Sequence, residues 1–202
     1  MAHTSDKPQV AGLVLAAGGG RRLGGRPKAL LEHRGRPLVE NAVRVLWAGG
    51  CRTVHVVLGA AADEVLRRAD LSGCVVTVNP DWADGMGSSL RVGLASLVAA
   101  GEKDGAVVSL VDQPGIGAAA VARIVAAYES PASLVSAAYD GRRGHPVLFG
   151  ARRWADVAAG ASGDRGARDY LAAHESEITL LECGDVAEAY DIDTPDDLAH
   201  LE

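Results

Sequence analysis

Aromatic side chains are scarce in this chain, at 4% of 202 residues, although hydrophobic residues make up 48%. The core must therefore be built from Ala, Val and Leu, a composition typical of Val-rich strands covered by Ala-rich helices. No apolar run reaches the roughly 20 residues that span a bilayer, and residues 1–9 are polar, without the apolar stretch of a signal peptide. We expect one domain over residues 1–202, with a flexible tail at residues 1–9 and no membrane partner.

Cysteines are also few. Cys51, Cys74 and Cys183 are widely spaced and form neither a CxxC pair nor a zinc-ligand spacing. This argues against a disulfide framework and against a structural zinc site. Because Cys74 and Cys183 lie in apolar runs typical of strands, we expect both to be small buried hydrophobes in the reducing cytoplasm.

A net positive charge is lacking as well, since the formal charge is −6 and the isoelectric point is near 5.5. Nucleic-acid binders usually carry a basic face, so we expect no nucleic-acid partner. The basic residues cluster early in the chain instead, at Arg21, Arg22, Arg26, Lys28, Arg34 and Arg36. A local basic cluster on an acidic protein suits a small anionic ligand, although a solvated loop would look the same.

Strand and helix patterns alternate along the chain and predict one α/β domain with a largely parallel sheet between helical layers. The predicted strands are residues 10–17, 53–58, 74–78, 106–111, 133–139, 146–149 and 178–183. The predicted helices are residues 37–48, 60–68, 86–100, 117–128, 152–159 and 167–174, with a last one from Pro195. Residues 141–144 look like a hairpin turn.

The first strand leads directly into Gly18, Gly19 and Gly20. Glycines let backbone N–H groups wrap phosphate oxygens, and Arg22 and Lys28 would neutralise their charge. A Walker A loop is excluded, because the spacing ends in Gly-Arg rather than Gly-Lys-Ser/Thr. A dinucleotide fingerprint is excluded because Leu23 stands where its third glycine belongs.

The segment instead resembles the signature LAAGxGxRxGxPKxLL of nucleotidyltransferases that activate sugars, isoprenoid precursors and molybdopterin. The matching positions are Leu15, Ala16, Ala17, Gly18, Gly20, Arg22, Gly24, Pro27, Lys28, Leu30 and Leu31. The resemblance is to the MobA-like NTP transferase family. It implies a single three-layer α/β/α fold of the nucleotide-diphospho-sugar-transferase, Rossmann-like type. It also implies that Leu15, Ala16, Ala17, Gly18, Gly19, Gly20 and Lys28 contact the nucleotide.

Two acidic positions are candidate metal ligands. Asp112 follows the predicted strand 106–111, where a carboxylate can reach a Mg²⁺ ion on triphosphate oxygens, although it would also open an ordinary turn before Pro114. Asp191 and Asp193 alternate and would face one side of an extended segment. The resemblance implies that Asp112 and Asp193 hold Mg²⁺. It also implies that Lys28, Arg22 and Asp112 carry catalysis.

Two further groups of residues bear on base and acceptor. Residues 79–94 resemble the N…W..GM..SL..GL pattern of molybdenum cofactor cytidylyltransferases, which makes Asn79, Gly85, Ser88 and Ser89 candidate nucleotide contacts. Ser88 or Ser89 would alternatively cap a helix. Residues 144–149 match GHPVLF and residues 163–168 match GDxGAR, which makes His145, Arg165 and Arg168 candidate acceptor contacts. A structural role for His145 stays open.

The resemblance therefore predicts transfer of CMP from CTP to a phosphorylated pterin-type acceptor, molybdopterin, with release of pyrophosphate. Its guanylyl-transferring branch tends to have a second glycine where Ala17 stands, so Ala17 favours CTP over GTP. The alternatives are a guanylyltransferase, another phosphorylated acceptor, or a non-catalytic nucleotide-binding accessory protein. A molybdoenzyme or its chaperone is a candidate recipient of the product.

Overall fold

A seven-stranded sheet runs through residues 8–201, the part of the chain that the computed structural model describes. Residues 1–7 of the expected flexible tail lie outside this part. The strands are β1 Val10–Ala16, β2 Glu32–His33, β3 Arg36–Pro37, β4 Val54–Leu58, β5 Val75–Val78, β6 Gly105–Leu110, β7 Leu134–Tyr139, β8 Arg142–Gly150 and β9 Thr179–Glu182. The large sheet has the order β5-β4-β1-β6-β8-β7-β9, and β2 and β3 form a separate hairpin.

The sheet is mostly parallel, as the alternation predicts. Within the described residues only β8 runs against its neighbours β6 and β7. The cause is local, because β7 returns directly as β8 through Asp140 and Gly141, both of which have positive φ. Two adjacent strands joined by so short a turn must be antiparallel.

Within residues 8–201, six α-helices cover the two faces of the sheet. They are α1 Leu38–Ala48, α2 Ala62–Arg68, α3 Met86–Ala99, α4 Ala118–Ala126, α5 Trp154–Gly160 and α6 Arg168–Ala173. Alternation along β1 separates two cores: Val10, Val14 and Ala16 pack with α1 and α4, whereas Leu13 and Leu15 pack with α3, α5 and α6. The expected three-layer α/β/α architecture follows from these two cores.

Three local expectations are wrong. Helix α3 begins at Met86, with Gly85 (φ 101°) before it, so neither Ser88 nor Ser89 caps it. The segment from Pro195 is a 3₁₀-helix, Pro195–Leu201, rather than an α-helix. Cys74 is only half-buried, because it precedes the edge strand β5, whereas Cys183 is buried as expected.

Candidate active site

The glycine-rich loop begins where the central strand β1 ends. Gly20 has a left-handed conformation (φ 58°, ψ 41°), and its carbonyl accepts hydrogen bonds from the N–H groups of Leu23 and Gly25. Among the described residues, the N–H groups of Gly18, Gly19 and Gly20 donate no hydrogen bond. The loop therefore offers three consecutive backbone donors, the arrangement that binds phosphate oxygens.

These donors border a cavity of about 470 Å³, which we call the loop cavity. Trp82 forms one wall of it, beside Gly19. Gly59, behind the wall, must lack a side chain, because a Cβ there would lie 2.4 Å from the Cβ of Trp82. The other lining residues include Ala17, Arg21, Arg22, Lys28, Gly85, Met86, Ser89, Asp112, Asp164, Asp191 and Asp193.

Lys28 joins two of the predicted acidic residues. Its Nζ lies 2.6 Å from Oδ2 of Asp112 and also contacts Oδ1 of Asp193. The Lys28 and Asp112 side chains are 14% and 20% exposed, whereas that of Asp193 is 44% exposed. Arg22, whose guanidinium lies 3.8 Å from Asp193, is mostly exposed. The structure thus brings all four predicted catalytic and metal residues to one edge of the cavity.

Two chain segments meet to build this cluster. Asp112 follows β6, the parallel neighbour of β1, so its segment and the glycine-rich loop lie at the same edge of the sheet. The segment of Asp193 is tied there because the N–H of Ile192 donates to the carbonyl of Asp112 at 2.9 Å. Ile192 is buried between the two segments. Asp191 and Asp193, on either side of it, both line the loop cavity, as their alternation predicts.

Negative charge exceeds positive charge in this cluster. Burial raises the pKa of the Asp112 carboxyl, Lys28 opposes that shift, and the Asp191 and Asp193 carboxylates add to it. Burial also disfavours the charged form of Lys28, but the two carboxylates outweigh it and raise the pKa of Lys28. Two carboxylates on one ammonium, with a third carboxylate nearby, are a setting that a divalent cation would stabilise.

The donor set fits Mg²⁺ shared with a substrate. Within residues 8–201 no cluster of three or more His, Cys, Asp and Glu side chains is arranged to hold a metal by itself. Mg²⁺ in phosphate-transfer sites commonly takes one or two carboxylates and completes its shell with phosphate oxygens and water. Asp112 and Asp193 supply such a pair.

The polar residues before and within α3 have a structural task. The buried amide of Asn79 donates to the hydroxyls of Ser88 (2.8 Å) and Ser89 (3.0 Å). Ser88 donates onward to the carbonyls of Asp81 and Gly85. Of these predicted contacts, only Ser89 and Gly85 line the loop cavity. Asn79 and Ser88 instead hold the turn that carries Trp82 and Gly85.

A second, larger cavity of about 730 Å³ adjoins the first, and we call it the acceptor cavity. It contains His145, Arg165 and Arg168, the three residues predicted to contact the acceptor. Burial lowers the pKa of His145 to about 4, although nearby Asp191 opposes the shift. The imidazole is therefore neutral at neutral pH. Arg165 is exposed and pairs with Asp169 one helical turn away.

The sequence patterns missed several residues of this cavity. Arg142 and Arg143 reach it from the start of β8, and Tyr139 and Gln113 line it as well. The hairpin turn expected at residues 141–144 lies instead at Asp140 and Gly141, and Arg142 and Arg143 already belong to β8. Their side chains carry no sequence motif that assigns them a ligand. Only the antiparallel return of β8 brings the arginine pair to the cavity.

The two cavities share part of their walls. Leu15, Met86, Leu110, Asp164 and Asp191 line both. The loop Ser162–Gly166 sits on the start of α3, where side chains at Gly85 and Gly87 would collide with it. Two adjoining cavities, one of them bordered by three free backbone donors, have the arrangement needed to bring two ligands together.

A glycine-rich loop with free backbone donors on a mostly parallel α/β sheet, with a lysine between two partly exposed carboxylates and a second cavity beside it, is the arrangement typical of the class of nucleotidyltransferases. The model of the MobA-like NTP transferase domain matches residues 12–178. The chain therefore belongs to the MobA-like NTP transferase family.

Proteins similar to this chain are named for different activities. The chain is 43% identical to the nicotine blue oxidoreductase of Paenarthrobacter nicotinovorans, over 98% of each chain. It is 31% identical to a molybdenum cofactor guanylyltransferase of Rhizobium johnstonii, over 98% of this chain and 93% of that one. Among solved structures, a manganese complex of Rv0371c from Mycobacterium tuberculosis superposes with a TM-score of 0.78 at 29% identity, covering 96% and 97% of the two chains.

No helix among residues 8–201 combines the length and the apolar character needed to cross a membrane.

Proposed function

We propose that this protein transfers CMP from CTP to a phosphorylated pterin-type acceptor, molybdopterin, and releases pyrophosphate. The observation that carries the proposal is the contact of one buried lysine, Lys28, with Asp112 and Asp193 beside three free N–H groups of the glycine-rich loop. A pocket that merely retained a nucleotide would not need two acids at this place. This argues against a non-catalytic accessory protein.

The chemistry follows from charge neutralisation and positioning. The N–H groups of Gly18, Gly19 and Gly20 bind the β- and γ-phosphate oxygens, while Lys28 and Arg22 neutralise the triphosphate. An acceptor phosphate oxygen attacks the α-phosphorus in line, a new P–O bond forms, and the bond to pyrophosphate breaks with its electron pair. A phosphate monoester is already anionic near neutral pH, so no side chain needs to remove a proton.

Mg²⁺ held by Asp112 and Asp193 would neutralise the triphosphate oxygens and orient them. The excess of carboxylates around Lys28 supports this assignment, and so does the manganese complex of the structural relative. When a nucleotide enters, Lys28 can exchange its carboxylate partners for phosphate oxygens. The carboxylates would then be free for the cation.

The choice of nucleotide rests on the wall around Ala17. Ala17 is buried, lines the loop cavity and packs close to Gly59. A methyl group here narrows the cavity where the guanylyl-transferring branch tends to have glycine. This supports the smaller base of CTP, and the guanylyltransferase relative keeps GTP as the alternative.

Product analysis tests the proposal. CTP or GTP labelled at the α-phosphate is incubated with Mg²⁺ and molybdopterin. The labelled product is separated, and the pyrophosphate released into solution is measured. We expect label in a cytidylylated product with one pyrophosphate released per transfer. Transfer only from GTP would move the enzyme to the guanylyl branch, and no transfer from either nucleotide would contradict the proposal.

Oxidoreduction is a second candidate function, because the relative with 43% identity is named an oxidoreductase. The acceptor cavity has apolar walls that would also accommodate an aromatic redox substrate. The test is oxidation of NADH or NADPH in the presence of nicotine blue, with and without added flavin. Turnover that survives Asp112→Asn would favour this candidate, whereas nucleotidyl transfer requires that carboxylate.

A further inference from the structure

Gln113 has one amide atom with a partner and one without. Its Nε2 donates to Oδ1 of Asp191 at 2.7 Å, while its Oε1 is buried and accepts no hydrogen bond from the described residues. The orientation of the amide is settled by Asp191, because a carboxylate requires a donor opposite it. The unpartnered atom of Gln113 is therefore an acceptor.

A buried acceptor without a partner destabilises a folded protein by roughly 1–3 kcal/mol, because it has lost its hydrogen bonds to water and gained none in return. In the described part of the chain, two other side-chain atoms share this condition, on His33 and His55, and neither residue lines either cavity. Gln113 differs because it lines the acceptor cavity. A ligand there that reaches Oε1 would supply the missing donor.

The neighbours of Gln113 are acceptors too. The Asp191 carboxylate lies beside it, joined through the Nε2 contact, and both line the acceptor cavity. His145 lines the same cavity; its ring nitrogens make no hydrogen bond to the described residues, and the neutral imidazole has one acceptor nitrogen and one N–H donor. Gln113 and Asp191 thus present adjacent acceptors at this cavity.

The rest of the cavity is suited to a flat ring. Leu90, Val108, Val147 and Phe149 supply apolar lining, while Arg142 and Arg143 line the cavity from the start of β8. A ring enclosed by apolar walls gains most when its polar edge matches the groups at the end of the cavity. Adjacent acceptors match a primary amino group, whose two hydrogens can serve two acceptors at once.

We propose that Gln113 is a specificity residue of the acceptor cavity, which accepts a hydrogen bond from a primary amino group on the heterocyclic ring of the acceptor. Asp191, held by the Gln113 amide, takes the second hydrogen of that group. The inference rests on the proposed function for the assignment of this cavity to the acceptor. Beyond that function, it states that the protein recognises the amino group of the acceptor ring.

Two ring analogues test this recognition directly, without turnover. Pterin-6-carboxylate carries the amino group, and lumazine-6-carboxylate has a carbonyl oxygen in its place, with the same ring size and the same carboxylate. Titration calorimetry measures the dissociation constant of each. The wild-type protein should bind the pterin at least roughly tenfold more tightly, the value of one hydrogen bond to a buried acceptor.

Gln113→Met removes the acceptor and keeps an unbranched side chain of similar length. Because Asp191 can still accept one hydrogen, the preference of this variant for the pterin should shrink from at least roughly tenfold to no more than about threefold. Gln9→Met makes the same chemical change at an exposed position away from both cavities and should keep the wild-type preference. The melting shift caused by Mg²⁺ and CTP shows whether the nucleotide site of Gln113→Met is intact.

Equal binding of the two analogues by the wild-type protein would overturn the inference. A preference that is undiminished in Gln113→Met, or failure of the wild-type protein to bind either analogue, would also overturn it. The proposed function has a separate readout in the labelled-nucleotide assay. A protein that prefers the pterin analogue but transfers no nucleotide would contradict the proposed function and leave the role of Gln113 intact.

Discussion

Replacement of Lys28 by methionine tests the electrostatics of the site. In the wild-type protein, Lys28 is the one buried ammonium among Asp112, Asp191 and Asp193 in the described residues. Breaking a buried ion pair by removing one partner typically costs 3–5 kcal/mol. Because the Asp193 side chain is 44% exposed and therefore partly screened, we expect a smaller loss of about 2–4 kcal/mol. For a domain of this size that lowers the melting temperature by roughly 5–15 °C.

The loss should depend on pH and on divalent cations. Without Lys28, the pKa of Asp112 rises further above its ordinary value, so the folded protein binds more protons than the unfolded chain. The stability lost in Lys28→Met relative to the wild type should therefore become smaller as the pH falls from 8 towards 5. Millimolar Mg²⁺ without nucleotide should also stabilise the variant more than the wild type, because no ammonium competes for the carboxylates.

Urea unfolding at pH 8 and pH 5.5, with and without Mg²⁺, measures these effects. Lys103→Met is the matched control, because Lys103 is exposed and forms no ion pair among the described residues. The reasoning would be refuted if Lys28→Met were as stable as Lys103→Met at pH 8 and no more sensitive to Mg²⁺ than the wild type.

Further variants test the acceptor cavity and the loop. Burial lowers the pKa of His145 to about 4. As the pH falls, the His145 imidazole of the unfolded chain is therefore protonated at a higher pH than that of the folded protein, which favours unfolding. Wild-type stability should fall by up to about 3 kcal/mol more than that of His145→Gln between pH 6.5 and 4; parallel urea-unfolding curves would contradict this. Gly20→Ala places a Cβ 1.9 Å from the carbonyl oxygen of Arg26 at positive φ. It should cost about 2–4 kcal/mol in urea unfolding, whereas Gly160→Ala, with open space around it, should cost under about 1 kcal/mol; equal losses would count against a strained loop. Ala17→Gly should raise the kcat/KM ratio of GTP to CTP roughly tenfold, and an unchanged ratio would remove Ala17 from base selection.

Much of the candidate site follows from where the strands end. Residues after β1 and β6 must meet because parallel neighbours end at the same edge of the sheet, so the glycine-rich loop and Asp112 were predictable together. Asp193 was predictable only through the family resemblance. Its approach depends on the backbone hydrogen bond from Ile192 to Asp112, between segments 80 residues apart in the chain.

Other features needed the three-dimensional structure. A serine pair near the start of a helical pattern looks like a cap, but the helix begins at Met86, as its pattern predicts, so Gly85 precedes it and both serines lie inside α3. Gln113 directly follows Asp112 in the sequence. That its Oε1 lacks a donor becomes evident only from the structure, in which its Nε2 donates to Asp191. Sequence patterns predict local backbone geometry, whereas the hydrogen-bond partners of a side chain depend on tertiary contacts between distant segments.

Thermal melting of the wild-type protein with Mg²⁺ and each of CTP, GTP, ATP and UTP tests the central claim most directly, with Asp112→Asn as the comparison. A ligand at 100 times its dissociation constant adds about 2.7 kcal/mol to stability, which is a rise of roughly 5–10 °C for a domain of this size. We predict a Mg²⁺-dependent rise that is largest with CTP and much reduced in Asp112→Asn. No rise with any triphosphate, or a rise that needs neither Mg²⁺ nor Asp112, would contradict the account.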